Sequence, residues 1–209
     1  EGFGLTEASP VVATGTALSP YREGYIGQAL IDTELRTVDD DGNDVPAESP
    51  GELWLRGPQV MQGYWQRPEE TAKVITADGW LKTGDIALLD AEGFVKIVDR
   101  KKDMIKSGGE NVASVKIEET LLAHPAVQNA AVVGLPHPQW GEAVSAFVKL
   151  KPGAVADEAG IEAHCRKHLG GFQVPKLVRI LEEMPMTATG KLRKVELRQQ
   201  YSGHFVERA

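Results

Sequence analysis

The chain has 209 residues, 42% of them hydrophobic and 25% charged, which is close to an ordinary globular protein and far from a disordered one. Its net charge of −7 at pH 7 is opposite in sign to that of a protein that binds nucleic acid broadly. A single cysteine, Cys165, excludes an internal disulfide and fits a reducing compartment, and neither a signal peptide nor the ~18-residue apolar run that would span a bilayer is visible.

The first half reads as short strands and turns. Residues 31–38 form a strand pattern, and Asp39 to Asp44 a turn with Asp41-Gly42 at the hairpin corner. The acidic run lacks the spacing of a calcium loop, which, with its glycine at Gly42, would need a carboxylate at Thr37. Residues 51–57 return as a strand. Pro68-Glu69-Glu70 opens a short helix, because proline suits the first turn and acids suit the positive end of the helix dipole. Residues 85–90 and 94–99 alternate as a hairpin around Ala91-Glu92-Gly93.

The second half changes character. Ser114 is placed to cap a helix running to His124, with Ile117, Leu121 and Leu122 on one face. Residues 127–135 and 143–150 read as strands. Asp157 is placed to cap a helix over 158–169, within which Cys165 reads as a helix residue and not a catalytic thiol, since no motif surrounds it. A short strand over 178–181 and a last helix over 192–201 follow. The switch falls at Asp99-Arg100-Lys101-Lys102-Asp103, a charged stretch with no apolar residue, which divides the chain into 1–100 and 101–209. The class implied is α+β, a β-rich region followed by a small mixed α+β domain.

Four constellations carry chemistry. In Phe3-Gly4-Leu5-Thr6-Glu7 the glycine allows close backbone approach to a ligand, and the hydroxyl and carboxylate suit a phosphate oxygen and a hard metal ion. In Trp80-Leu81-Lys82-Thr83-Gly84-Asp85 the carboxylate after a tight turn can accept two ribose hydroxyls, or serve only as a turn or capping residue. From Arg100 to Val112, basic residues beside Ser107-Gly108-Gly109 can cradle an anion or form a solvated linker, and the glycines lack the dinucleotide-binding spacing. In Thr187-Ala188-Thr189-Gly190-Lys191 the lysine on a glycine turn is a mobile point charge suited to phosphate, without the spacing of a P-loop.

Singly these segments say little, but their order is specific. Phe3 to Glu7, Gly51-Glu52-Leu53 through Gly63-Tyr64-Trp65, Gly79 to Asp85, Asp99 to Gly109, Gly134-Leu135-Pro136 through Gly141-Glu142, and Thr189-Gly190-Lys191 resemble, in this order, the motifs of the adenylate-forming superfamily. That superfamily contains acyl-CoA synthetases, adenylation domains of peptide synthetases, and beetle luciferases, and the resemblance covers essentially the whole chain. It implies that residues 1–100 are the β-rich, distorted-barrel end of a large AMP-binding domain and 101–209 its mobile C-terminal domain. It also implies a preceding N-terminal region with a phosphate loop and most of the acid pocket.

The resemblance further implies roles. Thr6 contacts the AMP phosphate, Glu7 holds Mg²⁺, and Phe3, next to Gly4, stacks near adenine where tyrosine is usual. Asp85 binds the ribose hydroxyls and Arg100 helps hold the ribose. Lys102 matches the hinge, Lys106 and the Ser107-Gly108-Gly109 turn face the active site during thioester formation, and Lys191 contacts carboxylate and phosphate during adenylation. The implied activity is that of an acid–thiol ligase using ATP, Mg²⁺ and coenzyme A on a carboxylic acid, with fatty or other aliphatic acids favoured by Ser107 to Val112 and Trp140-Gly141-Glu142. A cytoplasmic enzyme without a transmembrane segment is expected, with room for a homodimer, and the 209 residues alone are expected to be inactive. The rivals are an adenylation domain serving a carrier-protein thiol, disfavoured as an expectation because a carrier domain would normally come after the last helix and the 209 residues stop at Ala209; a luciferase-like oxidase; and a non-catalytic nucleotide-binding fragment. Because exposed linkers are cut first, limited proteolysis is expected to cleave between Asp99 and Lys106 before it cleaves within 127–150; a first cut in those strands would refute this division.

Overall fold

The computed structural model describes residues 1–16 and 21–206, and the chain forms two compact units, Glu1–Lys102 and Asp103–Ala209. Both are mixed or β-rich, so the α+β class holds. No helix among the described residues is long and apolar enough to cross a membrane.

The first unit is a seven-stranded antiparallel sheet. In chain order its strands are β1 (Gly2–Gly4), β2 (Val11–Thr14), β3 (Gly27–Ala29), β4 (Glu34–Val38), β5 (Gly51–Arg56), β6 (Leu81–Leu89) and β7 (Phe94–Arg100), with the short helix α1 (Pro68–Val74) before β6. In space they run β1-β2-β3-β7-β6-β5-β4. β5 is buried on both faces. On one side Leu53 and Leu55 join Val12, Ala13, Leu81, Ala87 and Val95. On the other, Trp54 packs with Val38 and Trp80. The Arg36 guanidinium lies 4.8 Å from the Trp54 ring and 4.4 Å from Trp80, and Arg56 lies 4.6 Å from Trp80, so cations stack over the aromatic faces.

Two expectations shift here. The strand read over 31–38 begins only at Glu34, because Leu30 to Thr33 make a turn in which Asp32 has φ +59°. Asp41-Gly42 is not the corner of a tight β4–β5 hairpin. The Asp39 carboxylate accepts hydrogen bonds from the amides of Asp41 and Asn43, both at 2.9 Å, and these bonds hold it below the usual carboxylate range. That closes a small loop, with Val38 bridging Asp44 and the Val45 amide donating to the Thr37 carbonyl. Pro46 has no N–H to continue the ladder, and β4 pairs with β5 only after a further detour, Val38 opposite Glu52.

The second unit is built on one long antiparallel pair, β10 (Val127–His137) and β11 (Gly141–Leu150), preceded by the hairpin β8 (Ile105–Ser107) and β9 (Glu110–Val112). The far edge of β11 is shared: β8 meets it at Gly141, and β12 (Leu177–Ile180) runs parallel to Ser145–Val148. Side chains of the pair alternate faces. Ala130, Val132, Val144, Ala146 and Val148 pack with Ile117 and Leu121 of α2 (Ser114–Leu122) and with Ile161 and Cys165 of α3 (Glu158–His168). Ala131, Val133, Leu135 and Phe147 face Leu197 of α4 (Lys194–Tyr201), with Leu177 and Met184 beside them.

Asp157 caps α3 as expected, accepting from the Gly160 amide at 2.7 Å. Ser114 does not cap α2. Ala113 holds that position without a side-chain bond, while Ser114, fully buried, accepts a hydrogen bond from Lys194 Nζ at 2.8 Å. The same ammonium pairs with Glu118 at 2.7 Å, and Glu118 in turn accepts from the Val132 amide. Arg198 pairs with the buried Asp103 at 2.7 Å, so α4 is anchored by two ion pairs. Leu122 is 48% exposed and lies off the face that Ile117 and Leu121 bury, because a residue one step along a helix is turned by roughly 100°. Cys165 is a buried helix residue whose thiol is pushed up to about 11 by burial, which leaves it unreactive.

These packing assignments predict unequal costs. Phe147→Ala is expected to lower the stability of the second unit by about 3–5 kcal/mol, and Leu122→Ala by no more than about 0.5 kcal/mol. Hydrogen exchange of the β10–β11 amides reads both, and equal losses would refute the face assignment.

Candidate active site

In the first unit, the residues from Phe3 to Glu7 fold as an edge strand and a 3-10 turn, Thr6–Ala8. Phe3 sits opposite Ala13 and packs, on one face of the sheet, against both the Leu53 and the Leu55 clusters. A Cβ at Gly4 would lie 2.1 Å from the Pro10 carbonyl oxygen, so the chain's own turn requires this glycine. That turn is closed by the Leu5 amide donating to Pro10 at 2.8 Å. Thr6 is exposed at the tip and Glu7 is half-buried. The Glu7 carbonyl accepts from the Met61 amide at 2.8 Å, and its Oε1 accepts from the Tyr64 phenol at 2.9 Å. Tyr64 is a residue that the motif reading left without a role. Burial and the neighbouring Glu7 carboxylate push the Tyr64 phenol above its usual range.

Asp85 and Arg100 are brought together as cross-strand partners on β6 and β7. Gly84 has φ +73°, and a register shift follows at Ile86–Ala87. The Asp85 amide is held by Thr83 Oγ1, itself bonded to the Leu53 carbonyl at 2.7 Å. The Asp85 side chain is only 18% exposed, and its nearest cation is the Arg100 guanidinium at 3.9 Å, too long for a hydrogen bond. Burial raises its carboxyl above the usual range, more than Arg100 and Lys102 lower it. A part-buried carboxylate of this kind is a ready acceptor for hydroxyl donors. Lys102 is exposed.

In the second unit, Lys106 lies on β8 with its side chain exposed while Ile105 is buried. Ser107 and Glu110 pair directly across Gly108 and Gly109, whose φ values of +61° and +88° make a two-residue type I′ turn that only glycine adopts freely. The Lys106 amide donates to Glu142 Oε2 at 2.7 Å, and the Gly108 amide to the Trp140 carbonyl at 2.9 Å. Glu142 lies across Gly134, where a Cβ would come within 2.7 Å of its carboxylate. The segments Gly134 to Pro136 and Gly141-Glu142 thus have a structural use, bracing the Lys106 strand. Lys191 sits apart on its own turn. Thr187 Oγ1 accepts from the Lys191 amide at 3.0 Å, Gly190 has φ +80°, and Met186 bridges Leu192. Neither the Lys106 nor the Lys191 ammonium has an ion-pair partner among the described residues.

No group of three or more histidine, cysteine or carboxylate side chains among the described residues is arranged to hold a metal ion. The lone Glu7 carboxylate nevertheless fits magnesium, which is usually held by one or two carboxylates together with substrate phosphates. Two signals for these contacts were weak in the sequence: Tyr64 stands 57 positions from Glu7, and Glu142 stands 36 positions from Lys106.

The comparisons with known proteins bear on the family of the chain. The family model described as AMP-binding enzyme matches residues 1–65, and that described as AMP-binding enzyme C-terminal domain matches 116–191. The chain is 47% identical over all 209 residues to a long-chain-fatty-acid–CoA ligase of Escherichia coli O6:H1, covering 37% of that protein. It is 42% identical to a long-chain-fatty-acid–CoA ligase of Bacillus subtilis, over 99% of the chain and 37% of the relative. ATP-bound MatB from Rhodopseudomonas palustris superposes with a TM-score of 0.89 at 33% identity, over 98% of this chain and 41% of that one. The chain thus spans little more than a third of the curated relatives it matches. Matched by both family models and aligned to these ligases along its whole length, it belongs to the family of AMP-binding, adenylate-forming enzymes.

Proposed function

We propose that the protein to which this chain belongs is an acid–thiol ligase that activates a fatty or other aliphatic acid with MgATP and passes the acyl group to coenzyme A. The observation that carries this reading is the 47% identity, along the entire chain, to a long-chain-fatty-acid–CoA ligase. The geometry supports it: a part-buried Asp85 carboxylate suited to ribose hydroxyls, a Glu7 suited to nucleotide-borne magnesium, and two lysines without an ion-pair partner among the described residues, Lys106 on β8 and Lys191 on a glycine turn.

A carboxylate is a poor acyl donor because its leaving group would be oxide. Attack by its oxygen on the α-phosphorus of ATP expels pyrophosphate and leaves a mixed anhydride with AMP. The coenzyme A thiol then attacks the carbonyl and AMP departs. In this scheme Thr6 contacts the AMP phosphate, Asp85 and Arg100 hold the ribose, Phe3 and Gly4 lie by the adenine, and Lys191 offsets charge building on phosphate. The hairpin carrying Lys106, Gly108 and Gly109 serves the thiol step, and Lys102 is the pivot between the two conformations.

Half-reactions test the assignment in the full-length enzyme. Lys191→Ala is expected to slow pyrophosphate exchange by ~10²–10³ while sparing thioester release from synthetic acyl-adenylate. Lys106→Ala should do the reverse, and Lys102→Pro, which fixes φ near about −65°, should restrict the enzyme to one step. Equal loss of both steps in both lysine variants would mean that the lysines act together in one conformation.

Asp85 gives a test on the 209-residue chain. A carboxyl raised by burial binds its proton more tightly in the folded than in the unfolded state, so stability falls as pH rises from the ordinary value of ~3.9 through the raised folded one. Asp85→Asn should therefore be more stable than the parent at pH 7, with the advantage shrinking as the pH is lowered toward 4 in thermal unfolding. The same change should weaken AMP binding by the full-length enzyme. A variant less stable at pH 7 would show that Asp85 is held by contacts within the fold and is not kept for a ligand.

A further inference from the structure

Tyr64 lies in the loop between β5 and α1, in the Gly63-Tyr64-Trp65 segment to which the proposed mechanism gives no task. This loop grips Glu7 at two points, the Met61 amide on its carbonyl and the Tyr64 phenol on its Oε1. The loop is itself braced. The Tyr64 amide donates to Thr71 Oγ1 at 2.9 Å, and that hydroxyl donates to the Arg67 carbonyl at 2.9 Å. Gly63, at φ +152°, lets the chain pass Thr71, where a Cβ would come within 2.8 Å of the threonine side chain. Trp65 beside it is 88% exposed and takes no part in the brace.

A glutamate alone is a poor metal ligand in one respect. Its side chain has several free rotations, and ordering a long side chain costs up to about 2 kcal/mol. Where two or three carboxylates share a cation, each helps to orient the others, and among the described residues no such group exists. The phenol supplies what is missing. It occupies one carboxylate oxygen and leaves the other, which has no donor among the described residues, turned in a fixed direction.

We propose that Tyr64 is a positioning residue for the nucleotide-borne divalent cation: its hydroxyl orients the Glu7 carboxylate toward the metal of metal–ATP. This rests on the reading of Glu7 as the magnesium carboxylate. A hydrogen bond that merely ties the loop to the Thr6–Ala8 turn would affect stability and nothing else. Partners that orient a ligating group typically change metal affinity by ~10–100-fold.

The test uses the full-length enzyme with Tyr64→Phe, which keeps the ring and removes only the hydroxyl. ATP binding is measured by calorimetry with chelator and with Mg²⁺, and binding of Mn²⁺·ATP by electron paramagnetic resonance. The variant is expected to bind metal-free ATP as the parent does, to lose ~10-fold or more of the affinity gained from the metal, and to need correspondingly more Mg²⁺ for half-maximal pyrophosphate exchange. Thioester release from preformed acyl-adenylate should not change. Glu7→Gln is measured alongside. If Glu7→Gln loses the metal-dependent gain and Tyr64→Phe keeps it, the role of Tyr64 is overturned and the bond is only a loop tie. If Glu7→Gln also keeps it, the reading of Glu7 fails, and the proposal with it. Equal loss of metal-free and metal-dependent binding in Tyr64→Phe would indicate collapse of the loop and would likewise overturn the proposal.

Discussion

Burial of the central strands on both faces is the constraint on which the rest of the structure depends. β5 in the first unit and the β10–β11 pair in the second carry apolar side chains in both directions, and each needs a cover on each side. The covers are the tryptophan–arginine stack over Trp54 and the helices α2, α3 and α4 over β10–β11. Strand interiors so occupied have no room for reactive groups. Of the candidate site residues, Glu7 lies on a 3-10 turn and Lys191 on a glycine turn, while Asp85 and Lys106 lie on paired strands, beside a left-handed glycine and a type I′ turn respectively.

Electrostatics divide the charged residues into two populations. Lys194 with Glu118, and Arg198 with Asp103, are satisfied pairs that fasten α4, and removing one partner would strand the other. Asp85, Lys106 and Lys191 are the opposite case. Asp85 has burial without a hydrogen-bond donor, and the two lysines have charge without a counter-ion among the described residues. Asp85 is thereby open to a hydroxyl donor and the two lysines to an anion, which is the use that the proposed function makes of them.

The glycines make a related point about inference. Gly4 invites a ligand-binding reading, yet the Pro10 carbonyl of the same chain already demands it. Gly134 and Gly63 likewise make way for Glu142 and Thr71. Gly108 and Gly109 differ, since the turn needs their positive φ but their missing side chains leave the surface open. A glycine in a motif is thus informative only when its neighbours are known.

Local chemistry was legible in the sequence because its causes are local. Alternation placed β10 and β11, and the Asp157 cap marked α3. The order of six short motifs pointed to the adenylate-forming family without any single motif being decisive. Contacts between residues far apart along the chain were not legible: Tyr64 with Glu7 across 57 positions, Lys194 with Ser114 across 80, and Arg198 with Asp103 across 95. Ser114 looked like a helix cap until Lys194 proved to be its partner, and Leu122 looked buried until the sheet selected the neighbouring face. The sequence by itself determined the family, the class and the residues with chemical potential, because composition, period and motif order are properties of the chain. Only the tertiary structure decided which of those residues are free, which are braced and which are spent on the fold, because partners are chosen by packing in space.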